Sequence, residues 1–149
     1  MNSDLKKLYS PIIKSHNDAP HHFEKRMEST WVIKAYNPIC GDRFELYLNQ
    51  KEGKLEPIHF HGFGCAISKA STSLLTKSVE GKTIEDAKDI CGDFLKFIDQ
   101  EYSDGLTLPE EFLAFAGVHN FPERYDCAIL SWKELKFFLE HITNGTYAK

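Results

Sequence analysis

The chain of 149 residues lacks three features that would define common classes of protein. No stretch approaches the ~20 apolar residues of a transmembrane helix, which argues against a membrane protein. Positive charge is not in excess, because the formal net charge is −4, and this disfavours a nucleic-acid binder held by phosphate contacts. The first residues also lack the apolar run of a signal peptide, so we expect a cytoplasmic protein.

Cysteine is scarce, and none of the four cysteines forms a C-x-x-C pair, which excludes the spacing of a zinc finger. In a reducing compartment disulfides are rare, so metal binding or catalysis is the favoured use of these cysteines. A chain that is 42% hydrophobic and 27% charged has ordinary globular composition. We therefore expect residues 1–149 to form one domain with a core of its own.

A strand, a turn and a helix are predicted around Cys65. Ile58 and Phe60 alternate with two histidines, which is the period of a half-buried strand. Gly62 and Gly64 free the backbone for a sharp turn. Cys65 then falls at the start of a helix, where unpaired N–H groups and the helix dipole favour a thiolate over a thiol.

The remaining patterns predict an α+β fold in which an N-terminal helix precedes a three-stranded antiparallel meander and several packed helices. The predicted strands cover residues 30–36, 43–49 and 55–61. The predicted helices include one from Leu5 that Pro11 kinks or delays, one over 65–78, one from Thr83, a short one over 109–115, and a long one from Pro122 to Asn144.

Residues 18–28 are polar and aperiodic and are predicted to form a loop. Three histidines, His16, His21 and His22, lie in or beside this loop. Histidines in such a segment are most often solvated surface residues, and we predict this role for all three. Metal ligation is the less favoured alternative.

Three cysteines fall near the ends of predicted elements: Cys40 at a hairpin tip, Cys65 at a helix start and Cys127 near the start of the last helix. Asp42 follows two residues after Cys40. Three thiolates and a carboxylate are ligands that a tetrahedral Zn²⁺ accepts. Cys40 as a chance surface residue and Cys127 as a core residue are the alternatives. Cys91 lies on the apolar face of a helix and is predicted to pack in the core.

Three segments carry a resemblance to a known family. Residues 37–42 read Asn-Pro-Ile-Cys-Gly-Asp, residues 62–71 contain Gly-Phe-Gly-Cys, and residues 121–132 contain Phe-Pro-Glu-Arg-Tyr-Asp-Cys. Together they resemble the U-type iron–sulfur assembly family, which includes IscU-like, SufU-like and NifU N-terminal proteins. Leu8, Tyr9 and His16 extend the resemblance to nearly the whole chain. It implies the SufE/IscU-like fold and metal ligation by Cys40, Asp42, Cys65 and Cys127.

Within this family the chain resembles the SufU-like branch more closely. The segment between Cys65 and Cys127 is longer than in IscU-like proteins, and residues 99–113 lie in the extra piece. IscU-like proteins have a histidine immediately before the third cysteine and SufU-like proteins more often a basic residue, so Asp126 departs from both patterns. Arg124 matches an arginine of SufU-like sequences.

The SufU-like resemblance implies a zinc-dependent sulfurtransferase that accepts persulfide sulfur from a SufS-type cysteine desulfurase. Cys40 would be the acceptor, and Arg124 is expected beside the metal ligands or facing a partner. A downstream Suf scaffold complex is a further expected partner. Two alternatives remain open: a scaffold that assembles a [2Fe–2S] cluster or binds iron on the same ligands, and a structural zinc protein that acts only as an adaptor.

Overall fold

A computed structural model describes residues 11–26, 28–39, 41–99 and 110–143. Its elements, in chain order, are α1 (Pro11–Asp18), β1 (Trp31–Asn37), β2 (Asp42–Leu48), β3 (Gln50–Lys51), β4 (Lys54–Leu55), β5 (His59–Phe63), α2 (Ala66–Val79), α3 (Ile84–Ile98), α4 (Glu110–Leu113), a 3₁₀ helix (Ala116–Asn120) and α5 (Pro122–Thr143). This order confirms the predicted α+β class. The predicted helix start at Leu5 and the predicted helix end at Asn144 lie outside the described residues.

The sheet has the strand order β1-β2-β5, with both neighbouring pairs antiparallel. Alternating burial in β1 turns Ile33 and Ala35 into the core. The third strand begins at His59, so the predicted start at residue 55 was wrong. Leu55 instead pairs with Gln50 in a separate hairpin. Pro57 stands between the two strands and has no N–H with which to continue the ladder.

Helices α2 and α3 begin at side-chain caps. The Cys65 sulfur accepts a hydrogen bond from the Ser68 amide, and the Thr83 hydroxyl accepts one from the Asp86 amide. Both caps satisfy amides that have no partner within the helix. The predicted helix starts at these two positions are confirmed. Among the described helices, none is both long and apolar enough to cross a membrane.

A seam of buried hydroxyl groups joins α2 to α5. The Ser71 hydroxyl donates to the Ala128 carbonyl at 2.5 Å and accepts from the Trp132 indole N–H at 2.8 Å. Thr72 and Ser131 lie 2.7 Å apart through their hydroxyl oxygens. Each buried polar group in the seam therefore has a partner, and the small side chains let the helices pack closely.

Aromatic rings fill the core between α3 and α5. The Phe94 and Trp132 rings stack with centroids 4.0 Å apart, and Phe112 meets Phe94 edge-on at 5.1 Å. Cys91 is completely buried on α3, and burial raises the pKa of its thiol. A protonated thiol packed among rings behaves as a small hydrophobe, which confirms the predicted core role of Cys91.

Candidate metal centre

The fold brings three of the four predicted ligands together. Asp42, Cys65 and Cys127 each offer one ligand atom, and these atoms lie within 4.8 Å of one another. They come from the first residue of β2, the N-cap of α2 and the second turn of α5. Cys40, the fourth predicted ligand, lies outside the described residues, so its part in the centre stays a prediction.

Asp42 is fully buried, and its two carboxylate oxygens have different surroundings. The Oδ1 atom accepts hydrogen bonds from the Cys65 amide at 3.1 Å and from the Ser68 hydroxyl at 3.0 Å. The Oδ2 atom is buried and has no hydrogen-bond partner among the described residues. Because an unsatisfied buried carboxylate oxygen is costly, this atom is suited to a bound cation.

The two thiols of the centre influence each other. Hydrogen bonding with Cys127 is the main cause that lowers the pKa of Cys65, and the Ser68 groups add to it. The same interaction with Cys65, together with burial and the nearby Asp42, raises the pKa of Cys127. The pair thus favours one thiolate beside one thiol. A divalent metal would displace the remaining proton and relieve the repulsion among three acidic groups.

The donor set fits zinc. Two thiolates bound to a tetrahedral Zn²⁺ at ~2.3 Å stand about 3.8 Å apart, so a small contraction would bring these ligand atoms onto one ion. A carboxylate is an accepted zinc ligand, and a fourth ligand would complete the tetrahedron. Soft thiolates bind iron–sulfur clusters as readily, so the geometry accommodates both predicted cofactors.

Gly64 is packed against residues of the metal centre, and there is no room for a side chain at this position. A Cβ at this position would lie 2.4 Å from the Ser68 Oγ, 2.7 Å from the Asp42 Oδ1 and 2.9 Å from a ring carbon of Phe44. The role predicted for Gly64 from the sequence was backbone freedom. Gly62 does have a positive φ of 140°, but Gly64 does not, and its requirement is one of volume.

Ser68 is the residue of the centre that sequence analysis missed. Its amide donates a hydrogen bond to the Cys65 sulfur, and its hydroxyl donates one to the Asp42 Oδ1. The N-cap position of Cys65 indicates that the amide three residues later is capped, whereas the contact between the Ser68 hydroxyl and Asp42 spans 26 residues and has no local signal.

Arg124 and Asp126 lie on α5 close to Cys127. Arg124 is partly buried and stands three residues before Cys127, which puts both on the same side of the helix, whereas Asp126 is exposed. Arg124 is therefore suitably placed for its predicted role beside the metal ligands or facing a partner, and that role stays a prediction.

The prediction that the three histidines of the N-terminal region are solvated was wrong for His16. The side chain of His16 is only 11% exposed, and its ring nitrogens lie 2.7 Å from the Ser73 hydroxyl and 2.5 Å from the Glu111 carboxylate. His21 and His22 are partly buried beside other titratable groups. These partners are distant in sequence, and no local pattern indicates them.

Gly64→Ala is expected to abolish most binding of the predicted zinc, because the added methyl group displaces Asp42 or Ser68. Gly92→Ala is the matched control, since the nearest atom to a Cβ there is 3.6 Å away. Metal analysis of both purified variants measures the effect, with circular dichroism to show that each is folded. A Gly64→Ala protein with the zinc content of the unmodified chain would contradict this account.

Removing the predicted zinc with a chelator is expected to lower the melting temperature by several degrees while the chain stays folded, since metal-binding free energy adds to folding free energy. Thermal unfolding with and without chelator measures the shift. Cys91→Ala should show the same shift, and Cys65→Ser should show little. An unchanged melting temperature after verified zinc removal would count against a structural contribution of the metal.

Comparison with known proteins agrees with the geometry. The family model described as "NifU-like N terminal domain" matches residues 8–137. The chain is 32% identical to the iron–sulfur cluster assembly scaffold protein IscU of Streptococcus pyogenes serotype M1, over 97% of this chain and 91% of that protein. It is 36% identical to the zinc-dependent sulfurtransferase SufU of Bacillus subtilis, over 91% of each chain.

Solved structures agree as well. A crystal structure from Fervidobacterium islandicum AW-1, described as an iron–sulfur cluster assembly scaffold protein for the SUF system, superposes with a TM-score of 0.83 at 29% identity and covers 93% of this chain and 99% of that chain. The matched model, the relatives and the fold coincide over nearly the whole sequence. The chain therefore belongs to the NifU-like N-terminal domain family, the U-type iron–sulfur cluster assembly proteins.

Proposed function

We propose that this chain is a zinc-dependent sulfurtransferase that accepts persulfide sulfur from a SufS-type cysteine desulfurase for iron–sulfur cluster assembly. The observation that carries the proposal is the convergence of Asp42, Cys65 and Cys127 in one centre. The relative named as a zinc-dependent sulfurtransferase, matched over 91% of each chain, supports it. The proposed cytoplasmic location and a downstream Suf scaffold complex as second partner follow from the same role.

Cys40 is the proposed sulfur acceptor, because its position in the sequence falls between the end of β1 at Asn37 and the start of β2 at Asp42. Its thiolate attacks the terminal sulfur of the desulfurase persulfide. A new S–S bond forms on Cys40, the S–S bond to the desulfurase cysteine breaks, and that cysteine leaves as a thiolate. Bound Zn²⁺ would hold the resting thiolates and lower their nucleophilicity.

The other residues of the centre orient the ligands and balance their negative charge. The Asp42 carboxylate fixes the Cys65 backbone and the Ser68 side chain, which places the Cys65 sulfur at the start of α2. Three thiolates and a carboxylate carry four negative charges, so a divalent metal leaves two uncompensated. Arg124, one turn before Cys127, is the proposed cation that faces this charge or the partner.

The end of the sheet that carries Asp42 has an apolar surface. Ile39 is 91% exposed, Phe63 66% and Tyr36 39%. Strand pairing places them at one end of the sheet, since Asn37 pairs with Asp42 and Arg43 pairs with Phe63. Exposed apolar and aromatic side chains around a reactive turn suit the docking of a protein partner.

A cluster scaffold is the second candidate function. The same thiolates could assemble a [2Fe–2S] cluster. The relative named as an iron–sulfur cluster assembly scaffold, which matches over 97% of this chain, favours this role. A structural zinc adaptor would leave desulfurase turnover unchanged.

Cys40→Ser is expected to abolish stimulation of a SufS-type desulfurase while the protein stays folded, because a hydroxyl does not accept persulfide sulfur at neutral pH. Cysteine turnover to alanine, with and without the variant, measures this. Cys91→Ala is the control and should stimulate normally. Arg124→Ala should lower stimulation without loss of zinc, and exposed Lys133→Ala on the same helix should not. Full stimulation by Cys40→Ser would rule out Cys40 as the acceptor.

Asp42→Ala separates sulfur transfer from the scaffold role. For a sulfurtransferase the variant should stimulate the desulfurase less, because the thiolates lose their oxygen ligand and the Cys65 amide its acceptor. For a scaffold it should retain a reconstituted cluster longer. Colour, acid-labile sulfide and desulfurase rate are measured together, with Asp42→Asn as the milder variant and Asp126→Ala as the control. A brown Asp42→Ala protein, with an unmodified chain that does not accelerate the desulfurase, would establish the scaffold.

A further inference from the structure

A second group of side chains with potential metal-ligand atoms shares no residue with the cysteine centre. His21, His22 and Glu80 each offer one ligand atom within 4.8 Å of the others. The His21 Nε2 lies 3.0 Å from the Glu80 Oε2, and the His22 Nδ1 lies 3.5 Å from the same oxygen. The two imidazole rings have centroids 3.8 Å apart. Two imidazoles thus converge on one carboxylate oxygen.

The backbone that carries these histidines is fixed on two sides. The His21 amide donates to the Ser73 hydroxyl at 2.7 Å, and the Thr76 hydroxyl donates to the His21 carbonyl at 3.0 Å. On the other side, the Phe60 amide donates to the His22 carbonyl at 3.0 Å. His22 has a φ of 57°, in the left-handed region that few non-glycine residues adopt. The fixed backbone holds this conformation, so the adjacent rings are preorganised on one side of the chain.

The charge around the cluster favours a cation. Glu80 is the C-cap of α2, where unpaired carbonyl groups give a partial negative charge. The His22 ring stacks on His59 with centroids 4.6 Å apart. The Arg26 guanidinium lies 3.1 Å from the His59 Nε2. Arg26 itself is paired with Glu24 at 3.1 Å.

The spacing of the atoms matches a metal site. Nitrogen and oxygen ligands at ~2.0–2.2 Å from a tetrahedral Zn²⁺ stand about 3.3–3.5 Å apart. The measured separations of 3.0 and 3.5 Å bracket this value. The His22 Nδ1 also lies 3.1 Å from the Ile58 carbonyl oxygen. Ligation through Nδ1 would therefore move the ring proton to Nε2 and release that hydrogen bond.

We propose that His21, His22 and Glu80 bind a divalent first-row transition-metal ion such as Zn²⁺, with a fourth position open to water or another ligand. Two imidazoles and a carboxylate, without thiolate, are the ligands of mononuclear sites with an open position. The ion would tie residues 21–22 to the end of α2. This site is independent of the sulfur chemistry proposed for the cysteine centre.

The test is a titration of the metal-free full-length chain with Zn²⁺, followed through the ring nitrogens of its histidines by NMR and through binding affinity by calorimetry. The ring nitrogens of His21 and His22 are expected to shift. His21→Gln and Glu80→Gln should weaken this binding about tenfold or more, since each removes a ligand. His22→Asn should do the same, and asparagine tolerates the left-handed backbone. His141→Gln, on α5, is the matched control and should bind as the unmodified chain does.

A variant with both Cys65→Ser and Cys127→Ser should keep the shifts of His21 and His22, which separates this site from the cysteine centre. Failure of the sulfurtransferase proposal would leave this result untouched. The proposed site is overturned if the two histidines do not shift. It is also overturned if the double cysteine variant loses the shifts, or if His21→Gln and Glu80→Gln bind Zn²⁺ as tightly as His141→Gln does.

Discussion

The buried carboxylate of Asp42 joins the start of β2 to the start of α2, and the geometry of the cysteine centre depends on this contact. One oxygen accepts from the Cys65 amide and the Ser68 hydroxyl. Hydrogen bonds to a charged acceptor contribute roughly 1.5–3 kcal/mol each, and they offset part of the several kcal/mol that burial of a carboxylate costs. Any disturbance here moves a ligand, a helix cap and a buried charge together. Gly64 is packed against the same carboxylate oxygen, so a side chain at Gly64 would displace Asp42 and with it the other two groups.

Cys127 reaches the centre through a different set of contacts. It lies on α5, and the hydroxyl seam of Ser71, Thr72 and Ser131 fixes α5 against α2. The Cys127 thiol itself donates to the Glu123 carbonyl one turn earlier, at 3.5 Å. Two independent constraints therefore meet at the centre, one between sheet and helix and one between two helices. A metal bound there would connect both, which is how it would add to stability without being required for the core.

The local sequence pattern was enough to predict the strands and helices that position the ligands. Features that depend on contacts between residues distant in sequence could not be predicted. Alternation around Phe60 predicted the third strand of the sheet, and a capping pattern predicted the start of α3 at Thr83. The position of Cys65 at a helix start also followed from its neighbours. The shorter third strand depends on how Pro57 and the turn before it fit the sheet. The partners of His16 are 57 and 95 residues away, and two of the three atoms that leave no room at Gly64 belong to Asp42 and Phe44 on β2.

Helix α2 carries opposite chemistry at its two ends. Cys65 is its N-cap, where unpaired amides favour a thiolate, and Glu80 is its C-cap, where unpaired carbonyls favour a cation. The soft, anionic ligands of the cysteine centre thus lie at the positive end of the helix. The imidazole and carboxylate ligands of the proposed second site gather at the negative end. The two ends of the same helix therefore provide opposite partial charges to two sites whose ligands differ in chemical softness. Metal ions that prefer thiolates and metal ions that prefer imidazoles would be distributed between the two sites by ligand type as well as by affinity.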